Sequence, residues 1–189
     1  MKLKRFLIAV AIVLAFPGRA SALECADFWT WVDTGCRRVV DTYQNGETQL
    51  IVSGYSYHLP YSYTPEKRAE LNSNAWGGGL ARASEEPNGN THTVYVYGFE
   101  DSNKRAQFQA GYMWTTYWGD RDGVQAGLGW TAFIVQRPDI ASGVPVPAAL
   151  PVAALRYKKS SVIATFIPTL NGGINHGSTL YVMGIIGLQ

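Results

Sequence analysis

Three histidines, His58, His92 and His176, are the side chains best suited to proton transfer near neutral pH. His58 closes one β-like segment and Asp101-Ser102 closes another, and both ends fall on the same side of an alternating strand pattern. A histidine, a carboxylate and a hydroxyl on one rim are the parts acyl transfer calls for: a base for a hydroxyl proton, a group to orient it, and polar groups for the developing oxyanion. Asp101 and Ser102 are adjacent, so a regular strand points them to opposite sides, and both reach one pocket only through a bulge or loop. His176 lies in the 171–177 loop of the same rim and is a rival base. His92 follows a short turn on the opposite rim and reads as structural.

The elements that position these residues begin after a leader. Lys2, Lys4 and Arg5 precede an unbroken apolar run, Phe6 to Phe16, and Ala20-Ser21-Ala22 follows as a small-x-small cleavage site. An eleven-residue run rises roughly 16 Å in a helix, about half a bilayer core, so residues 1–22 read as a cleaved signal peptide. Without them the 189-residue chain keeps twelve basic and fourteen acidic side chains, a net charge of −2, which gives no support for nucleic-acid binding.

Residues 23–46 form a second region. Asp27 caps an expected helix from Phe28 to about Tyr43, with Trp31, Val32, Cys36, Val39 and Val40 on one stripe. Such a helix suits a membrane interface or the flank of a soluble core. Cys25 and Cys36 on one helix would lie roughly 16 Å apart, beyond bridging distance, so both are expected to be unpaired.

Residues 47–189 change texture to segments rich in Val, Thr, Tyr, Trp and Gly. Eight strands are expected, at about 48–58, 76–86, 91–100, 106–118, 124–136, 145–157, 161–168 and 178–188. Short polar turns (86–90, 119–123, 158–160) alternate with generally longer connections, as in an outer-membrane barrel. The fold expected is all-β: an eight-stranded antiparallel transmembrane β-barrel with an N-terminal amphipathic helix. A lipocalin-like barrel or a sandwich also holds eight strands, but Tyr112, Trp114, Tyr117, Trp118, Trp130 and Tyr181 suggest interfacial girdles. In 106–118, Phe108, Ala110, Tyr112 and Trp114 share the lipid side, which turns Met113 into the lumen. Segments 91–100 and 145–157 are apolar on both faces, which fits either a hydrocarbon pocket or packed side chains. Pro151 and Pro168, in consecutive strands, interrupt the ladder and mark either a lateral opening or kinks at a rim.

The motifs Tyr57-His58, Trp76-Gly77-Gly78-Gly79, Phe99-Glu100-Asp101-Ser102, Ala110-Gly111-Tyr112, Pro145-Val146-Pro147 with Pro151, and Ile167-Pro168 resemble the lipid A palmitoyltransferases of the PagP family. The resemblance implies an outer-membrane enzyme, acting as a monomer without metal or other cofactor. Its partners would be a phospholipid donor, giving the acyl chain from its sn-1 position, and a lipid A acceptor. It places the catalytic groups at His58, Asp101 and Ser102, lateral lipid access at Pro151 and Pro168, and a clamp holding helix to barrel at Arg137 with Tyr43. A family gap between the first two strands uses prolines where this chain has Ser53 and Ala75. Met113 stands where palmitate-selective members have the glycine flooring the acyl pocket, so a shorter chain is expected here. The chain ends Gly187-Leu188-Gln189, without the usual terminal aromatic residue. A non-enzymatic adhesive barrel and an outer-membrane phospholipase are the competing readings.

Overall fold

A computed structural model describes Cys25 and residues 30–170 and 175–188. The leader, the first residues of the expected helix and the 171–174 part of the last loop lie outside the described residues. Helix α1 (Thr30–Asn45) leads into strands β1 (Glu47–His58), β2 (Gly77–Glu85), β3 (Thr91–Glu100), β4 (Ala106–Gly119), β5 (Val124–Gln136), β6 (Val146–Tyr157), β7 (Ser160–Ile167) and β8 (Thr179–Gly187). A short helix α2 (Pro65–Glu70) sits in the β1–β2 connection, capped by the Thr64 side chain. Each strand pairs antiparallel with the next, and β8 closes on β1 from Gln49↔Gly187 to His58↔Thr179. Closure leaves no edge, so the backbone of a spanning sheet is satisfied internally.

The strands form because side chains alternate between a packed lumen and an apolar exterior. Leu80, Leu128, Ile134, Leu155, Val162 and Ile186 are exposed on the outside, while Ile51, Tyr95, Met113, Val152 and Ile163 are buried inside. Exposed Tyr57 and Trp76 ring the long-loop end, and exposed Trp118 and Tyr157 the short-turn end. Tyr117 and Tyr181 depart from the expected girdle: strand parity turns both inward, and Tyr181 is buried against Phe99 with ring centroids 5.0 Å apart.

At the short-turn end the lumen is sealed by polar side chains. Arg156 donates to Gln125 (2.9 Å), Glu85 (2.8 Å) and Thr91 (3.0 Å), and its guanidinium lies 3.9 Å from the Tyr117 ring centroid. A charge in this position is tolerable because carboxylate, amide, hydroxyl and ring all face it.

Helix α1 rests on the outside of β2 and β3. Thr42 is fully buried and shares a 2.9 Å hydrogen bond with Ser84, and Arg38 pairs with Glu86 at 2.7 Å. Glu86 in turn faces His92 Nε2 at 3.2 Å, and His92 Nδ1 is hydrogen-bonded to the Tyr112 hydroxyl. His92 thus points away from the lumen and helps dock the helix. Two expectations are corrected here. Cys25 and Cys36 form a disulfide, with Cα atoms 5.7 Å apart where one continuous helix would hold them roughly 16 Å apart, so Cys25 lies outside the helical rise assumed for it. Arg137 cannot clamp α1: it follows β5 on the long-loop rim, whereas Tyr43 lies near the end of α1 at the short-turn rim. Arg82 on β2 instead bonds the end of α1, donating to the carbonyl of Gln44 at 3.0 Å.

Candidate active site

β1 does not alternate uniformly. Gln49, Ile51 and Ser53 face the lumen, and so do Ser56 and His58, while Tyr55 and Tyr57 are 46% and 39% exposed on the outside. The change of parity occurs at a bulge: Ser53 pairs with Met183 and Tyr55 with the adjacent Val182, leaving Gly54 as an extra residue. His58 consequently enters the barrel at its long-loop end and is buried.

β3 ends at Glu100, and the chain leaves the sheet at Asp101. The Asp101 side chain then organises the turn. Its Oδ1 accepts from the backbone N–H groups of Asn103 and Arg105, both at 2.8 Å, while Lys104 sits at a φ of 59°. This departure from strand geometry lets neighbouring Asp101 and Ser102 line the same cavity. Ser102 is held from behind, its carbonyl accepting from Asn72 N–H at 2.8 Å. Its Oγ lies 2.8 Å from His58 Nε2, so with that nitrogen unprotonated the serine hydroxyl donates to it.

The structure therefore brings His58 and Ser102 together and uses Asp101 elsewhere. Asp101 Oδ2 is buried with no hydrogen-bond partner among the described residues; Arg105 Nε is 3.4 Å away but misaligned for a bond. The ring set against His58 is Tyr63, edge to face at 5.3 Å. Tyr63 is pinned by donating to the Gly177 carbonyl at 2.9 Å, and a Cβ on Gly177 would meet its ring at 2.3 Å. Tyr63 escapes a reading of the sequence because it lies in a loop with no motif of its own. His176 is exposed on the cavity wall.

Below the pair is a cavity of about 550 Å³. Tyr97, Phe99, Phe133, Leu150, Ile163 and Ile167 are among its lining residues, and Met113, Val152 and Met183 reach its deep end. The interior is thus open above Met113 rather than wholly filled by side chains. A second hollow of about 480 Å³, between α1 and the β2–β3 turn, is lined mainly by charged residues such as Arg38, Asp41 and Glu85 and holds none of these groups. At the mouth, Asp139 receives two hydrogen bonds from Arg137 (3.1 and 2.8 Å) and one from Arg105 (3.0 Å). Burial is the largest influence on Asp139 and pushes its carboxyl up, but the bonds and charge of Arg137, with its own backbone and Arg105, outweigh it and hold the group below the usual aspartate range.

The barrel wall is split beside this cavity. β6 and β7 pair only from Tyr157↔Ser160 to Val152↔Thr165, and the ladder stops at Pro151, which has no N–H to continue it. Thr165 Oγ1 donates to the Pro151 carbonyl at 2.8 Å and caps the last rung. Pro168 follows the end of β7. The β1–β2 seam behaves differently. Its ladder ends at Val52↔Gly78, yet Ala75 N–H donates to Gly54 (3.1 Å) and Ser56 N–H to Ser73 (2.8 Å), so the strands remain stitched.

A family model described as antimicrobial peptide resistance and lipid A acylation protein PagP matches residues 38–184. The chain belongs to the PagP family. A lipid A acyltransferase PagP of Methylobacillus flagellatus is 33% identical over 187 residues, covering 99% of this chain and 100% of the relative. One from Legionella pneumophila is 34% identical over 191 residues, covering 98% and 100%. A Bordetella parapertussis relative is 33% identical over 165 residues, covering 87% and 89%. Family membership and the closed barrel agree with the expectation drawn from the motifs.

Proposed function

We propose that this chain is an outer-membrane acyltransferase that moves a fatty acyl chain from the sn-1 position of a phospholipid to a hydroxyl of lipid A. The observation that carries the reading is the His58–Ser102 pair at the mouth of an apolar cavity inside a closed barrel. The names of the relatives supply the acceptor. The barrel acts as a monomer, exported by cleavage of residues 1–22, and the phospholipid enters where Pro151 ends the β6–β7 ladder.

With the donor's acyl tail in the cavity, its ester carbonyl sits near the Ser102 hydroxyl. His58 takes the proton of the incoming lipid A hydroxyl as its oxygen attacks that carbonyl. Collapse of the tetrahedral intermediate breaks the bond to the glycerol oxygen, and His58 returns the proton to the lysophospholipid. In the tautomer that does this, Nε2–H donates to Ser102 Oγ, which holds the imidazole and leaves Nδ1 as the basic nitrogen, and Asp101 fixes the turn that carries Ser102. One ester is exchanged for another, so proton transfer and oxyanion stabilisation suffice and the proposal requires no cofactor. Met113 floors the cavity and sets a chain shorter than palmitate.

Mass spectrometry of lipid A from cells with and without the protein tests this. An added acyl chain on lipid A, with lysophospholipid formed in equal amount, is expected. Free fatty acid in place of acylated lipid A would show a phospholipase instead, and no lipid product at all would favour a non-enzymatic barrel.

A further inference from the structure

The inward position of His58 depends on a single extra residue. A regular strand points residues an odd number apart to opposite faces. Ile51 and His58 are seven apart, yet both are buried in the lumen, at 1% and 4% exposure. The register shift between Ser53 and Tyr55 against β8 reconciles them. Glycine is favoured at the extra position by the close approach of β8: a Cβ on Gly54 would lie 2.6 Å from the Val182 carbonyl oxygen. The Gly54 carbonyl also accepts from Ala75 N–H at 3.1 Å, so the bulge is fastened on its other side.

We infer that Gly54 is a positioning residue, whose bulge rotates the last turn of β1 so that His58 faces Ser102 and Tyr57 faces lipid. The inference rests on the proposed acyl transfer for its functional consequence, but its geometric part stands alone. Two changes at this position then have opposite effects, and neither follows from ordinary strand tolerance. Gly54→Val disfavours the bulge and drives β1 toward a regular strand, turning position 58 outward. Deleting Gly54 removes the extra residue itself, so Ser53↔Met183 and Tyr55↔Val182 become consecutive rungs and position 58 stays inward.

The test uses the full chain in vesicles, with a probe thiol introduced by His58→Cys and labelled by a maleimide on a rigid sterol anchor, confined to the bilayer and too broad to enter the acyl cavity. Tyr57→Cys is the lipid-facing reference. Gly54→Val is expected to raise labelling at position 58 to the rate at position 57, while the Gly54 deletion leaves position 58 shielded. With His58 in place, Gly54→Val is expected to keep the barrel's heat-modifiable gel shift and lose lipid A acylation. Shielding of position 58 in a folded Gly54→Val barrel overturns the inference, as does exposure of position 58 in the deletion. If Gly54→Val does not fold, the deletion alone decides. If Gly54→Val exposes position 58 yet acylation persists, the bulge assignment stands and the role of His58 as base is withdrawn.

Discussion

His58 Nε2 lies 2.8 Å from Ser102 Oγ, although 44 residues separate them in the chain and they sit at the ends of non-adjacent strands, β1 and β3. β2 begins only at Gly77, so at this level the space between the strands holds the β1–β2 connection, whose Asn72 supports Ser102 from behind. The geometry is a Ser–His pair in which the carboxylate serves the serine's turn rather than the imidazole.

The first prediction follows from that arrangement. His58→Ala removes the base and is expected to lower the acylation rate by about 10²–10⁴ without unfolding the barrel. Ser102→Ala is expected to cost less, because the acceptor hydroxyl attacks directly and serine only holds the imidazole. Initial rates with phospholipid vesicles measure both; a larger loss for Ser102→Ala, with an acylated Ser102 trapped in the wild type, would make serine the nucleophile.

Met113 is 3% exposed and lies at the deep end of the cavity. Met113→Gly opens space there, and the preferred donor chain is expected to lengthen. Each methylene left unburied costs about 0.8 kcal/mol, so two or three suffice for sharp discrimination. Assays with phospholipids of graded acyl length check this, and an unchanged preference removes Met113 from the floor.

The β6–β7 seam supplies a third prediction. Pro151 and Phe166 are the next pair beyond the last rung, Val152↔Thr165. Pro151→Cys combined with Phe166→Cys is expected to form a disulfide that stops turnover under oxidising conditions, with activity returning under mild reduction. Full activity of the oxidised barrel would place lipid entry elsewhere.

The fourth concerns pH. Asp139 joins Arg137 to Arg105, and its carboxyl is held below the usual aspartate range in the folded protein. A carboxyl depressed on folding contributes stability above its unfolded pKa, roughly 3.9, and loses it as pH falls through the lower folded value. Amide-exchange protection across residues 137–144 is therefore expected to hold at mildly acidic pH and to drop only below the ordinary aspartate range. Arg137→Ala should move that drop to higher pH; an unmoved profile would separate the loop's order from this carboxylate.

Much of the fold is legible in the sequence because period-two alternation and turn residues are local properties. The eight strand positions, the inward side of Met113 and the shared rim of His58 and Ser102 all follow from them. Strand parity also places Arg137 on the long-loop rim, since β5 is an odd strand, and so separates it from α1. Only the tertiary structure decided the remainder. Cys25 leaves the helical rise and reaches Cys36, and no periodicity fixes a helix start to within two residues. Asp101 spends its Oδ1 on two backbone amides of its own turn, a competition that residue types alone do not reveal. The inward turn of His58 depends on one unpaired residue against β8, and register between strands more than a hundred residues apart is set when the barrel closes.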